Sequence, residues 1–292
     1  MDVDMKYLRA PAGWDETQPN PFTPDGSYGA EWSVFRLRDE DDDRMVNVRR
    51  GVELYKVPVP EDTDGPGRNN GPYCYVLGRG VKDIDTRLAD FLRYETGHGR
   101  KVIVALPQDT DTDAVVDQAL AGTPERRAIR PEDPMRWVHS TPLENWESIR
   151  ACGELRSLGR LRREGESMPG VGIFAFGEPD DYADYVMLAW AAGIGCEHVV
   201  SSQQKGYLIT EEDTPYTPGV RLYFDGHRII RDGLAVSDGL HTLKVHDHLP
   251  LEPYMVAAIG VKDVDPEGAV EVWTPRTFLD AANECFAGRH DV

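Results

Sequence analysis

His139-Ser140-Thr141 places an imidazole beside two hydroxyls at the point where an apolar run turns polar. An imidazole can take or give a proton near neutral pH, and a strand end feeding a capped helix offers unpaired N–H groups to an anion. A satisfied histidine at a sheet edge is the plainer reading of such a residue. The next two dozen residues add chemistry. Arg150, Arg156, Arg160, Arg162 and Arg163 put five arginines within fourteen residues, whereas residues 164–217 hold ten acidic residues and one Lys. The planar fork of arginine suits phosphate oxygens, so a focused anion site is one reading. A solvated basic loop, or a set of partners for the acidic tracts, is the other.

Other chemistries find little support. GPGRNNG (65–71) and GVG (170–172) do not follow a strand and open a helix, so neither reads as a dinucleotide fingerprint or P-loop. The sequence has no GxSxG elbow and no HExxH. His241, His246 and His248 are close in sequence, but on a strand only 246 and 248 share a face, and no metal is expected. Cys74, Cys152, Cys196 and Cys285 are widely spaced, which fits reduced thiols better than disulfides or a zinc ribbon. The acidic run Asp39–Asp43 reads as a solvated loop.

Across the whole chain, 292 residues favour two modest domains, and 40% hydrophobic content with six Trp is enough for real cores. A net charge of −19 argues against a protein held on nucleic acid by bulk electrostatics, while leaving room for a local anion site. The N-terminal MDVDMKYLRA lacks an apolar h-region, and no apolar run approaches ~18–20 residues. A cytoplasmic protein with no membrane partner is the expectation.

The elements that must position these residues follow from periodicity and turn signals. Residues 1–80 are punctuated by Pro, Gly and Asn, with β-like runs at Trp32–Arg36, Val52–Val57 and Tyr73–Leu77. Asp85 to Gly97 predicts a helix, KVIVAL (101–106) a buried strand, and Asp111 to Leu120 a second helix stopped by Gly122. The proline-punctuated stretch 123–134 marks a boundary, giving domains 1–130 and 131–292. Beyond it, Trp137-Val138 predicts a strand ending at His139-Ser140. Thr141-Pro142-Leu143-Glu144 predicts a capping-box helix with Leu143, Trp146 and Ile149 buried and Gly153 at its end. VGIFAF (171–176) reads as a strand, and residues 178–192 as a helix carrying Tyr182 and Tyr185. Val220–Phe224, Leu240–Val245, Met255–Val261 and Val270–Trp273 read as strands, and Thr274-Pro275 opens a last helix.

A family resemblance attaches to these residues. His139-Ser140-Thr141, the helix ending Ile149…Gly153, and Leu155-Arg156-Ser157-Leu158-Gly159-Arg160 resemble the core of the NAD-dependent RNA 2′-phosphotransferases, within the ADP-ribosyltransferase superfamily. Val220–Asp225, Asp232-Gly233, Ser237-Asp238-Gly239 and His248–Tyr254 follow that family's closing pattern in order. The similarity spans residues 137–261. Ser140 stands where the family has Gly, Asp238 where it has Asn, and GIFAFG (172–177) where it has a His-Val-His-Leu strand. Its winged-helix half is not visible in residues 1–130.

The resemblance implies an α+β fold, with an ADP-ribosyltransferase-like split antiparallel sheet and flanking helices over 131–292, preceded by a separate α+β N-terminal domain. It implies NAD as co-substrate, with nicotinamide released as a phosphate or other nucleophile attacks the ribose. His139 would meet the NAD ribose or incoming phosphate, and Ser140 and Thr141 the adenylate side. Arg160 would hold a phosphate, with Arg221 or Arg228 as the later arginine. Tyr182 and Tyr185 would stack on nicotinamide, Ser237 would lie in the cofactor-binding region, and Glu252 would be the ribose-binding glutamate. The acceptor could be an RNA 2′-phosphate, another nucleic acid or a protein. A non-catalytic interaction module with the same fold is the alternative outside enzymes.

Overall fold

Consecutive apolar residues suit strands covered on both faces, and the first half of the chain uses them in that way. The computed structural model describes residues 7–14, 18–28, 31–38, 73–78, 83–122, 135–166, 183–206, 209–237 and 242–290. The predicted strands Val52–Val57 and VGIFAF, the acidic run 39–43, the whole expected boundary segment 123–134, and Tyr182, Asp238 and His241 lie outside them. The chain divides into two compact units. One comprises 1–128, 175–183 and 235–240; the other comprises 129–174, 184–234 and 241–292.

The first unit carries strands β1 (Tyr7–Arg9), β2 (Trp32–Arg38), β3 (Tyr73–Gly78) and β4 (Lys101–Ala105) in the order β1-β4-β2-β3. Every pairing is parallel. Helix α1 (Ile84–Gly97) connects β3 to β4, and α2 (Thr112–Gly122) follows. Alternation along β2 and β4 divides the core. Phe35, Val102 and Val104 pack with Leu88, Phe91, Leu92 and Val116, while Val34, Ile103 and Ala105 pack with Trp14 and Trp32. Arg100 is buried and paired with Glu95 at 2.8 Å. β9 (Ala235–Ser237) also falls within this unit's segments.

The second unit is built on strands β5 (Arg136–Thr141), β7 (Tyr185–Trp190), β8 (Val220–Asp225), β10 (Thr242–His246) and β12 (Met255–Gly260). They lie in the order β12-β8-β5-β7-β10, and all pairings are antiparallel. A separate antiparallel pair joins β6 (Glu154–Arg156) to β11 (His248–Pro250). Around them lie α3 (Leu143–Cys152), α4 (Leu158–Arg163), α5 (Gly195–Lys205), α6 (Gly226–Arg231), α7 (Val261–Val264) and α8 (Pro275–His290). One sheet face packs Val138, Tyr223 and Ile259 against Cys196 and Val200 of α5 and Phe278 and Ala282 of α8. The described part of the chain is therefore mixed α+β, with several sheets and eight helices. Among the described residues no helix is long and apolar enough to cross a membrane.

Three local expectations are corrected. Residues 185–190 form strand β7, not the end of a helix: YVMLAW is apolar at nearly every position, and pairing with β5 and β10 on either side makes it an interior strand. The capping box at Thr141 does not form. Thr141 stays in the ladder opposite Val220, Pro142 becomes the N-cap, and no side chain caps the helix. The helix begins at Leu143 and ends at Gly153 in the left-handed region (φ 75°), but none of its residues is buried and Leu143 is 60% exposed. Finally, of Val270–Trp273 only Trp273 pairs, in an isolated bridge to Tyr216.

Candidate functional site

β5 lies in the middle of the second unit's sheet, and successive side chains along it point to opposite faces. His139 therefore faces away from Val138 and Ser140, opposite Leu222 of β8. The strand runs two residues beyond it, to Thr141. Its Nδ1 lies 3.3 Å from the carbonyl oxygen of Met187 on β7. A carbonyl only accepts, so Nδ1 carries the hydrogen and Nε2 is left as an acceptor. Burial, opposed by the Met187 bond, holds the His139 pKa below its ordinary value. At neutral pH this is a neutral imidazole, able to accept a proton or a hydroxyl hydrogen bond.

Ser140 points into the opposite face, where sequence reasoning missed the residue that organises it. The Ser140 hydroxyl donates to Glu197 of α5. Arg221 of β8 pairs with the same carboxylate at 2.8 Å, and Tyr216 donates to its other oxygen at 2.7 Å. Arg221 also donates to the Ala191 carbonyl at 2.7 Å, and its ion pair with Glu197 is 0% exposed on both sides. Burial, together with the Glu197 charge, pushes the Tyr216 hydroxyl far above its ordinary range. Burial opposes the Arg221 charge, but Glu197 outweighs it and the net shift is upward. Tyr223 is pushed up to about 12, chiefly by burial, and donates to Asn283 at 2.8 Å. Glu197 shares its side of α5 with Cys196, Val200 and Ser201, all buried. A carboxylate in register with an apolar stripe was the one available signal.

Four of the five clustered arginines, Arg150, Arg156, Arg160 and Arg163, meet carboxylates. Arg160 meets Glu164 at 2.8 Å, Glu154 at 3.0 Å and Asp247 at 3.4 Å. Arg156 meets Glu164 at 2.6 Å and Glu166 at 2.8 Å. Arg163 meets Asp247 at 2.6 Å and Asp184 at 3.4 Å. Arg150 is exposed and bonds Glu147 within its own helix. Three arginines thus share five carboxylates.

The other expected site residues are dispersed. Thr141 is buried at the end of β5. Tyr185 is buried on β7, its ring edge-on to His246 at 5.4 Å and 4.2 Å from Lys244 Nζ. Glu252 is exposed in the turn before β12. Ser237 ends β9. Arg228 donates to the Pro253 carbonyl at 3.2 Å and lies over the Tyr254 ring. The structure brings Ser140 and Arg221 together on Glu197. Among the described residues, no hydrogen bond or ion pair joins His139 to Arg160, Arg221 or Glu252. No group of three His, Cys, Asp or Glu residues arranged to hold a metal occurs among the described residues.

Two half-buried histidines set a pH dependence. His198 on α5 is lowered as His139 is, by burial first, and its Nε2 is buried without a hydrogen-bond partner among the described residues. A folded-state pKa below the unfolded value means that the unfolded chain binds more protons as pH falls through about 6.5. Stability should be complete above that value and decline below it, before the carboxylates titrate. Urea midpoints at pH 7.5 and 5.5 check this, and replacing His139 and His198 by Gln should flatten the difference. A parent midpoint unchanged between those pH values counts against it.

No family model matches the chain, and no curated protein or solved structure matches it either.

Proposed function

We propose that the chain is an NAD-consuming transferase of the ADP-ribosyltransferase type, closest in kind to an RNA 2′-phosphotransferase. A nucleophile oxygen of the acceptor bonds to the nicotinamide-bearing ribose carbon. The carbon–nitrogen bond breaks with its electron pair leaving on nicotinamide. The observation that carries the reading is His139, a neutral imidazole on the middle strand of an antiparallel sheet, with Nε2 left as an acceptor. In this role it accepts a hydrogen bond from a ribose hydroxyl and orients the sugar for displacement. The antiparallel pairing throughout the second unit, and its division into a main sheet and a small β6-β11 sheet, also support it. Arg160 would hold an NAD phosphate. Arg221 and Ser140, enclosed on Glu197, would act by tying β8 and β5 to α5 beneath the histidine.

The charge around the arginines favours a protein acceptor as the second reading. Five carboxylates outnumber Arg156, Arg160 and Arg163, so the cluster carries excess negative charge and repels a polyanion.

Nicotinamide release from NAD by the full chain tests the proposal, with a 2′-phosphorylated RNA and a basic protein as acceptors. His139→Ala should lower the rate about 10²-fold or more, the usual scale for a lost acid–base or orienting group. Arg160→Ala should mainly raise KM for NAD. A parent protein that releases no nicotinamide with either acceptor would point to the non-catalytic interaction module instead, and two variants that match an active parent would remove His139 and Arg160 from the reacting site.

A further inference from the structure

We propose that Arg160 is an anion-binding arginine held closed by its own carboxylates, an autoinhibitory contact that an incoming phosphate must break. The inference rests on the reading of Arg160 as a phosphate ligand and adds how that site is controlled. All three guanidinium nitrogens are engaged, each by a different carboxylate: Nε by Glu164, Nη2 by Glu154 and Nη1 by Asp247. Phosphate recognition by arginine uses two parallel N–H groups of one edge, and each edge here already carries an anion.

The three carboxylates are not equally fixed. Asp247 is anchored through its backbone, donating to the Asp184 carbonyl and accepting from the Ser157 N–H, both at 2.8 Å. Its side chain is shared with Arg163 at 2.6 Å and His248 at 3.2 Å. Glu154 belongs to the β6-β11 ladder, opposite Pro250. Glu164 follows the last residue of α4, is 36% exposed, and already reaches Arg156 at 2.6 Å. It can leave Arg160 and keep a cationic partner, so it is the exchangeable member of the set. The Arg160 hydrogen bond holds its carboxyl below the usual range, which keeps it charged and competing at neutral pH.

Isothermal titration of the full chain with inorganic pyrophosphate tests the contact, alongside nicotinamide release from NAD. Glu164→Gln should bind pyrophosphate about tenfold more tightly than the parent, the scale of one charge-assisted contact removed from competition. Glu166→Gln makes the same change in net charge but touches Arg156 and not Arg160, so it should stay within about twofold of the parent. Adding Arg160→Ala to Glu164→Gln should abolish the gain. The contact is refuted if both Gln variants tighten binding equally, if Glu164→Gln does not tighten it, or if the gain survives loss of Arg160. An active parent whose Glu164→Gln variant gains nothing would remove the contact and leave the transferase reading intact. An Arg160-dependent gain without nicotinamide release in any variant would keep the contact and remove the transferase reading.

Discussion

Glu197→Ala is expected to lower the stability of the second unit by about 3–5 kcal/mol, the scale for leaving one partner of a buried ion pair uncompensated. The arrangement argues for the upper part of that range. Glu197 receives Arg221, Ser140 and Tyr216, and removing it leaves a buried cation without its counter-charge and two hydroxyls without the carboxylate that accepts from them. Arg221 has no alternative exposure to water, and its remaining carbonyl contacts are neutral. The protein cannot escape by discharging the guanidinium, which stays protonated. Glu197→Gln keeps an acceptor and should cost less. The double replacement Glu197→Leu with Arg221→Met should recover much of the loss, because two apolar groups of similar size need no partners. Urea unfolding followed by hydrogen exchange at β5 and β8 measures these differences. A Glu197→Ala protein within about 1 kcal/mol of the parent would mean that water or rearrangement reaches Arg221, against the enclosed geometry.

The contrast between Glu197 and β4 shows what the sequence could reveal. KVIVA is legible because its signal is local: five residues that suit a strand under any partner. The helix stop at Gly153 is local too, since the left-handed turn it takes is hard for other residues. YVMLAW is local but ambiguous, because an apolar run of six fits a buried strand or a buried helical turn, and only its neighbours decide. The capping box at Thr141 failed for a related reason. The threonine has a second use in the β5 ladder, and pairing with Val220 prevails over a hydroxyl cap.

The site is less legible than the fold because its partners come from far along the chain. Glu197 is joined to Ser140 across 57 residues, and Arg163 to Asp247 across 84. Composition alone left open whether the arginines bind a ligand or serve as partners for acidic tracts. The carboxylate contacts of Arg160 depend on where Asp247, Glu154 and Glu164 fall once β6 and β11 pair. His139 was picked out from residue type and position, but its tautomer depends on the Met187 carbonyl, which β7 supplies from 48 residues away.

Gly219→Ala should cost about 3 kcal/mol, toward the upper end of overpacking penalties, although the position carries no special backbone angle. The β5-β8 ladder closes at Thr141 opposite Val220, and Pro142 has no N–H to extend it. Gly219 fills the space where the chains would otherwise separate, and a methyl group there would collide with the Thr141 carbonyl and Pro142 Cα. Both are backbone atoms and cannot rotate aside as a flexible side chain would. Relief must come from moving the end of β5 or of β8, two residues from His139 on the first strand and one from Arg221 on the second. The same substitution should therefore reach the site as well as the fold. A displacement near 1 Å at a reacting centre can cost about 10²-fold in rate. Denaturant midpoints and nicotinamide release measured on one preparation separate the two effects. A Gly219→Ala protein as stable as its parent would show that the strand ends have slack, and the tight closure of β5 on β8 would then not be what holds His139 in place.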